Sequence, residues 1–525
     1  MIRTLTIVLA AATSFAQVTH ERLTDSSKEP QNWLTYSGNF QGHRFSALKQ
    51  IDTSNVARLR PAWVFQMDLN FRLETSPLIV DGVMYITEPP SNVSALDART
   101  GRPFWRYKRP QVNDVVHCCG HVNRGLAILG DTLFLGTIDA HMVALDRATG
   151  RVRWDVPMES YKSGYSSTGA PLALKDKVIS GIAGGEFGVR GFLDAYSADT
   201  GRRAWRLFTI PDARDPAAST WQGDTWKTGG GPTWVTGTYD PQLNLIYWGT
   251  GNPSADFNDE LRKGDNLYTN SLIAVDADTG ARKWFFQFTP GDVFDWDATE
   301  IPVLVDTPVD GKPRKLVVMA NRNGFYYVLD RETGTFLRGV PFAKQNWAKG
   351  LDASGKAISN GLKPTAAGTL VYPSVDGAAN WYSPAYHPDL KLFFIAARED
   401  GGVVFKSDPH QDRNLVMVGG SWQRLSPSER SGAVRALKVA TGELVWEFHL
   451  QQPPWSGLLA TAGGLVFGGT EEGDFFALDA STGKLLWRFF TGGRIVANPV
   501  SYAVNGKEYV AIAAGQSIFS FALEP

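Results

Sequence analysis

One short phrase recurs along this 525-residue chain, and it constrains the fold more than any other feature. It reads ALDARTGRPFW ending at Trp105, ALDRATGRVRW at Trp154, AYSADTGRRAW at Trp205, AVDADTGARKW at Trp284, ALKVATGELVW at Trp446 and ALDASTGKLLW at Trp487. VLDRETGTFLR is a further copy with Arg338 in place of the Trp, and RPAWVF extends the register back to Trp63. Repetition at roughly 40–50 residues marks propellers and solenoids, whose units bury apolar surface only against their neighbours. The phrase has a local physical meaning. A strand ends at the Asp, whose side chain caps the turn. Gly supplies the positive φ of that turn. The next strand carries a large flat ring that docks on the following unit. The 53 Gly, 29 Phe and 17 Trp agree with many turns between β-strands. The interval from 338 to 446 is double length and predicts one degenerate slot, so that eight intervals separate Trp63 from Trp487. The sequence therefore predicts an all-β, eight-bladed β-propeller with tryptophan-docking motifs, forming a single domain over 17–525. Two propellers of four blades fit less well, because no Pro/Ser-rich boundary interrupts the register.

Composition removes several functions. Fifty-two basic residues meet 53 acidic ones, for a net charge of -1, so the basic excess of a nucleic-acid binder is missing. Arg3, the apolar run 5–12 and Ser14-Phe15-Ala16 have the form of a cleaved secretory signal over 1–16. That run is too short to span a bilayer, and no other approaches the required length of about 20 residues. The mature protein is expected to be exported, not transmembrane, and to sit in an oxidising compartment.

The chemistry-bearing residues lie outside the repeats. Both cysteines are adjacent, Cys118-Cys119. An even count in an exported chain favours a disulfide, but neighbouring Cα atoms lie about 3.8 Å apart, closer than most disulfides place them, so a reduced pair is the alternative. His117 and His121 flank the pair, yet neighbouring thiolates rarely share one tetrahedral zinc. No G-x-x-x-x-G-K-[ST], G-x-S-x-G, H-E-x-x-H or C-x-x-C-H occurs. Glu186 follows Gly184-Gly185, Asn252 lies in GTGNP, and Asp295 and Asp297 lie in DVFDWDATE. Residues two apart share one side of a strand. Taken singly each acid reads as a turn or surface group; together, carboxylates and an amide oxygen suit a hard cation such as Ca²⁺.

Longer segments carry a family resemblance. These are NWLTYSGNFQGHRFSALKQI, the cysteine pair followed by VNRG, STGAPLALKDKVISGIAGGEFGVRG, YWGTGNP, DWD, ANRNGFYYVLDR, NWYSPAYHP and PPWSGLLATAGGLVFGG. Over 30–525 the chain resembles the pyrroloquinoline-quinone (PQQ)-dependent alcohol dehydrogenases, the quinoprotein family of methanol and ethanol dehydrogenases. The resemblance implies a periplasmic enzyme that oxidises primary alcohols to aldehydes by hydride transfer to metal-bound PQQ. It implies a disulfide between Cys118 and Cys119, with the quinone held between it and Trp234. Glu74, Arg124, Thr168, Arg322, Asn380 and Trp455 match positions that bind the quinone edges, and Ala183, Gly184 and Gly185 match backbone or small-side-chain contacts. Glu186, Asn252 and Asp295 match the metal site, and Asp295 the catalytic base. Asp297 is an extra acid that, by the resemblance, goes with a lanthanide rather than Ca²⁺; a trivalent ion gains more from a third carboxylate. Phe294 stands where the family has Trp, and Ala183 where it often has Ser. With no haem motif in the chain, electrons are expected to pass to a separate periplasmic cytochrome c, and a homodimer is compatible with the family. The alternatives are a PQQ-dependent sugar or polyol dehydrogenase, and a non-enzymatic propeller scaffold resembling the outer-membrane assembly factors.

Overall fold

The computed structural model describes residues 17–67, 71–112, 114, 115, 117–411 and 417–524; the predicted signal segment 1–16 lies outside them. Every copy of the repeated phrase folds as a strand, a tight turn and a second strand. In the copy at 141–157, strand His141–Asp146 ends on the Asp, and Asp146 Oδ1 accepts hydrogen bonds from the backbone N–H groups of Ala148 and Thr149 at 3.1 and 3.0 Å. The carboxylate thus satisfies turn donors that the ladder leaves unpaired.

The strands form eight sheets of four or five strands among the described residues. In chain order, seven cover 78–107, 127–157, 172–208, 238–287, 303–341, 385–450 and 459–490. The eighth joins an early strand to the last strands of the chain. Strand Leu59–Gln66 pairs antiparallel with Ser517–Leu523, Leu59 opposite Leu523, and Lys507–Ala514 and Val500–Val504 complete it. Apolar side chains of adjacent sheets fill the space between them; Phe467 and Phe475, for example, cluster with Tyr502, Val510 and Phe521. The architecture is an all-β propeller. Among the described residues no helix is long and apolar enough to cross a membrane.

Each repeat Trp reaches the next sheet. The indole N–H of Trp63 donates to Ala98 O at 3.1 Å, that of Trp105 to Arg147 O at 3.0 Å, and that of Trp154 to Ala198 O at 3.0 Å. Trp205, Trp284 and Trp446 bond in the same way to Ala277, Arg331 and Ala480. Trp487 donates to Leu59 O at 3.2 Å, which returns the series to the eighth sheet. Where Arg338 replaces the Trp, the hydroxyl of Tyr326 in the same sheet donates to Val439 O at 2.8 Å, the position equivalent to Ala480 in its neighbour.

The turn glycine answers to the same contact. Gly101 has φ 73°, and a Cβ there would overlap the Trp63 ring; Gly150, with φ 70°, meets Trp105 identically. Gly at this position serves both the left-handed backbone and the approach of the indole.

The long interval between 338 and 446 corrects the expected degenerate slot. Among the described residues it holds only one large sheet, 385–450, whose last strand carries Trp446. A hairpin of Ala348–Leu351 with Ala357–Ser359 and a three-stranded sheet of Thr369–Val371, Gly402–Gln411 and Met417–Arg424 occupy it as well. The last two strands are inserted between Leu392–Glu399 and Ser431–Lys438, which still pair directly. Insertions of this kind cost little because closure entropy rises slowly with loop length.

Comparing two glycines isolates the indole contact. Gly101 and Gly311 have φ of 73° and 76°, but only Gly101 faces an indole, and nothing lies within 4 Å of a Cβ at Gly311. Gly101→Ala is expected to cost about 2 kcal/mol more than Gly311→Ala in denaturant unfolding, the scale of overpacking. Equal losses would show that the contact contributes nothing.

Candidate active site

A cavity of about 430 Å³ collects most of the sequence-predicted residues, from segments that adjoin seven of the eight sheets. Glu74, Cys118, Cys119, Arg124, Thr168, Ala183, Gly184, Glu186, Trp234, Asp295, Asp297, Arg322, Asn380 and Trp455 all line it. Gly185 and Asn252 stand just behind the wall, with Asn252 Oδ1 3.7 Å from where a Gly185 Cβ would lie. Phe294 is buried against Trp296, their rings 4.7 Å apart, and does not line the cavity.

Cys118 and Cys119 are bonded to each other, with Cα atoms 3.8 Å apart. Cys119 takes a left-handed backbone, φ 71°. The reduced-pair alternative is therefore set aside. Trp234 supplies an aromatic wall whose orientation is held at its edge: its indole N–H donates to Asp297 Oδ2 at 2.9 Å. The Arg124 guanidinium lies 4.7 Å from the Trp234 ring centroid and 5.0 Å from that of Trp381. Arg124 also bonds Thr168 Oγ1 at 2.9 Å and pairs with Glu74 at 2.8 Å. Arg322 donates to Asp295 O at 2.7 Å and to Asn380 Oδ1 at 3.2 Å, and lies 3.3 Å from Asp297 Oδ2.

Two buried donors of these guanidiniums, Arg124 Nε and Arg322 Nε, have no hydrogen-bond partner among the described residues. Buried donors and acceptors without partners are costly and mark a place for a ligand's polar edge. At Gly184, φ 122°, a Cβ would strike Gly164 O, so the backbone packs closely along that side. An aromatic wall, fixed guanidiniums and unsatisfied edge atoms fit a flat anionic cofactor.

The carboxylates occupy the other side. Glu186 sits in the short 3₁₀ turn Gly185–Phe187. Asp295 and Asp297 do not share a strand, contrary to expectation: both lie in an irregular segment, and Asp295 has φ 60°. Asp292 shapes that segment by accepting from the N–H groups of Phe294 and Trp296 at 3.1 and 2.9 Å. Asp297 Oδ1 accepts from Asn252 N at 2.7 Å, and Asn252 Nδ2 donates to Asp256 Oδ1 at 2.9 Å.

Asp256, four residues after Asn252, is a lining acid that the sequence reading missed; Glu300, at the end of DVFDWDATE, is a buried one beside Arg322. Arg72, Asp376, Trp422 and Arg424 also line the cavity and carried no motif.

Burial makes these acids hard to ionise. It pushes Glu186 up to about 7, with Asp297 adding and Arg322 opposing. It pushes Asp256 up to about 8, aided by the Glu186 charge. Asp295 stands well above the ordinary carboxylate range, through burial first and then Asp256, Asp297 and Glu186, against Arg322. No three of these four carboxylates bring an oxygen each within 4.8 Å of one another; the one such group among the described residues joins Glu186 to the two disulfide sulfurs. Carboxylates that line one cavity, with the Asn252 amide behind them, are oxygen donors of the type a hard cation takes.

Fold and site together define the quinone-dependent propeller dehydrogenases as the class. Residues 33–344 match the family described as "Glucose/ethanol/alcohol dehydrogenase, beta-propeller domain", and 430–523 match "Outer membrane protein assembly factor BamB". Quinoprotein alcohol dehydrogenase PedH of Pseudomonas putida is 38% identical over 97% of this chain and 90% of its own. The lanthanide-dependent methanol dehydrogenase of Methylacidiphilum fumariolicum is 36% identical over 94% of this chain and 86% of its own. The solved structure of a europium-containing methanol dehydrogenase superposes with a TM-score of 0.91 at 33% identity, covering 96% of this chain and 100% of that one. The chain belongs to the PQQ-dependent alcohol dehydrogenase family, and it is an enzyme of that kind.

Thiol titration of the denatured, unreduced protein is expected to find no free cysteine, and two after reduction. Two thiols before reduction would remove the disulfide wall.

Proposed function

We propose that the protein oxidises primary alcohols to aldehydes, with PQQ between Cys118-Cys119 and Trp234 and a lanthanide ion beside it. When bound, the quinone is a two-electron acceptor and the cation the Lewis acid that polarises its carbonyl. Glu74, Arg124, Thr168, Ala183, Gly184, Gly185, Arg322, Asn380 and Trp455 hold the quinone edges. Glu186, Asn252, Asp295 and Asp297 hold the metal. Asp295 takes the hydroxyl proton of the alcohol, and Arg322, bonded to the Asp295 carbonyl, keeps that carboxylate facing the cavity.

The observation that carries this reading is the place of Asp297. One side chain joins the Trp234 edge, the Asn252 backbone and Arg322, so the aromatic wall and the acidic side are held by a single carboxylate. Each of its oxygens keeps lone-pair capacity for a cation. The third acid favours a trivalent ion, since attraction scales with charge.

The wider reading follows the family. The eight sheets are eight blades locked by tryptophan docking within one domain, 17–525. The segment 1–16 exports the chain to the periplasm. Electrons leave to a separate cytochrome c, and the holoenzyme is compatible with a homodimer.

Reconstitution with PQQ and La³⁺ is expected to give dye-linked alcohol oxidation above that with PQQ and Ca²⁺, and Asp297→Ala to shrink that difference. Asp295→Ala is expected to lower kcat at least about 10³-fold, the upper range for loss of a general base, while quinone binding persists. Equal activity with Ca²⁺, or full activity of Asp295→Ala, would overturn the assignments.

A further inference from the structure

The catalytic cavity adjoins a second one of about 370 Å³; Arg72, Arg424 and Trp455 line both. Arg398, Arg430 and Arg494 complete a set of five guanidiniums around the second cavity, against one lining carboxylate, Glu471. Three of the five are paired: Arg494 with Glu471, Arg424 with Asp376 at 3.0 Å, and Arg398 with Asp400 at 2.9 Å and Asp376 at 3.3 Å. Among the described residues the other two make no ion pair: Arg72 spends a donor on the Cys119 carbonyl at 3.1 Å, and Arg430 acts on Asp400 only through its charge. Arg430 Nε and Arg398 Nε are buried without a hydrogen-bond partner, and Arg398 as a whole is 1% exposed. Guanidinium groups do not deprotonate, so this positive excess persists at every accessible pH in a chain whose net charge is -1.

We propose that this arginine-lined cavity binds the oxyanion tail of the substrate, so that the enzyme prefers alcohols carrying a carboxylate or phosphate at the far end from the hydroxyl. The inference rests on the alcohol-dehydrogenase reading above and names its substrate class. Three observations carry it. The cavity is concave and includes a fully buried arginine, which a small oxyanion reaches and a protein surface does not. Its unsatisfied Nε donors match the forked geometry of a carboxylate or phosphate. It borders the cavity that holds Asp295 along three residues, Arg72, Arg424 and Trp455, so the far end of an alcohol held at Asp295 is directed toward the arginines. The Trp455 ring centroid lies 4.2 Å from the Arg398 guanidinium carbon. The bond changes are those of the family reaction: the substrate O–H and C–H bonds break, the proton goes to Asp295, the hydride to the quinone, and the tail is unaltered. The cationic groups assigned to the quinone, Arg124 and Arg322, line the first cavity and not the second.

The test compares an ω-hydroxycarboxylate with its methyl ester, and an ω-hydroxyalkyl phosphate with the parent diol, on the reconstituted holoenzyme. At low salt kcat/KM is expected to favour each anion about tenfold, the larger ratio telling which oxyanion is preferred, and the preference to fall as salt is added. Arg430→Gln and Arg494→Gln are each expected to move the ratios toward one. Calorimetry with a dicarboxylate of the same length, which cannot turn over, is expected to give binding that weakens in the same variants. No preference for the anion, or variants that lower quinone content instead of the ratio, would overturn the proposal. Dicarboxylate binding without oxidation of any alcohol would leave this site standing and bring down the dehydrogenase reading instead.

Discussion

One contact recurs from sheet to sheet: six indoles lie on a glycine turn of the next sheet and donate the N–H to a carbonyl there, and Trp487 makes the hydrogen bond without such a turn. Aromatic contacts of this kind add about 0.5–1.5 kcal/mol each beyond their buried area, so no single one secures the fold. Their value lies in the order they impose. Trp63 leads from the eighth sheet to the first, and Trp487 leads from the seventh back to the eighth at Leu59. The pairing of Leu59–Gln66 with Ser517–Leu523 then ties an early strand to the last one. The substitution of Arg338 does not interrupt the series, because Tyr326 supplies the missing donor.

That closed order explains a site built from distant positions. Glu186, Asn252 with Asp256, and Asp295 with Asp297 come from three separate segments of the chain, and all press on one cavity or its wall. Bringing so many carboxylates together in a buried place opposes folding, as the raised values of Glu186 and Asp256 show. Arg322 offsets part of that cost by bonding the Asp295 carbonyl and pairing with Asp297. A cluster that remains costly after such compensation is the mark of function rather than of stability.

The repeats were legible because their chemistry is local: Asp caps a turn, Gly tolerates it, and Trp follows at a set distance. Spacing alone misread the long interval, since inserted strands and a decayed unit lengthen a chain equally. The acids of the site were recognisable by type and by family resemblance, but their geometry was not. The backbone of Asp295 is turned by the cap from Asp292 and the bond from Arg322, contacts that no periodicity announces. Asp256 stood four residues beyond Asn252 in an already notable segment, so a search of the neighbourhood of GTGNP for further acids would have found it. The arginines of the second cavity, from Arg72 to Arg494, had no shared signal, because their meeting is a product of ring closure alone.

The central claim is that residues far apart in the chain surround one cation beside a quinone. Diffraction from crystals of the PQQ- and lanthanide-loaded protein, recorded at the lanthanide absorption edge, tests it most directly. The account predicts one anomalous peak within bonding distance of Glu186, Asn252, Asp295 and Asp297, next to the quinone on Trp234. A peak elsewhere on the surface, or none in the cavity at full quinone occupancy, would contradict it.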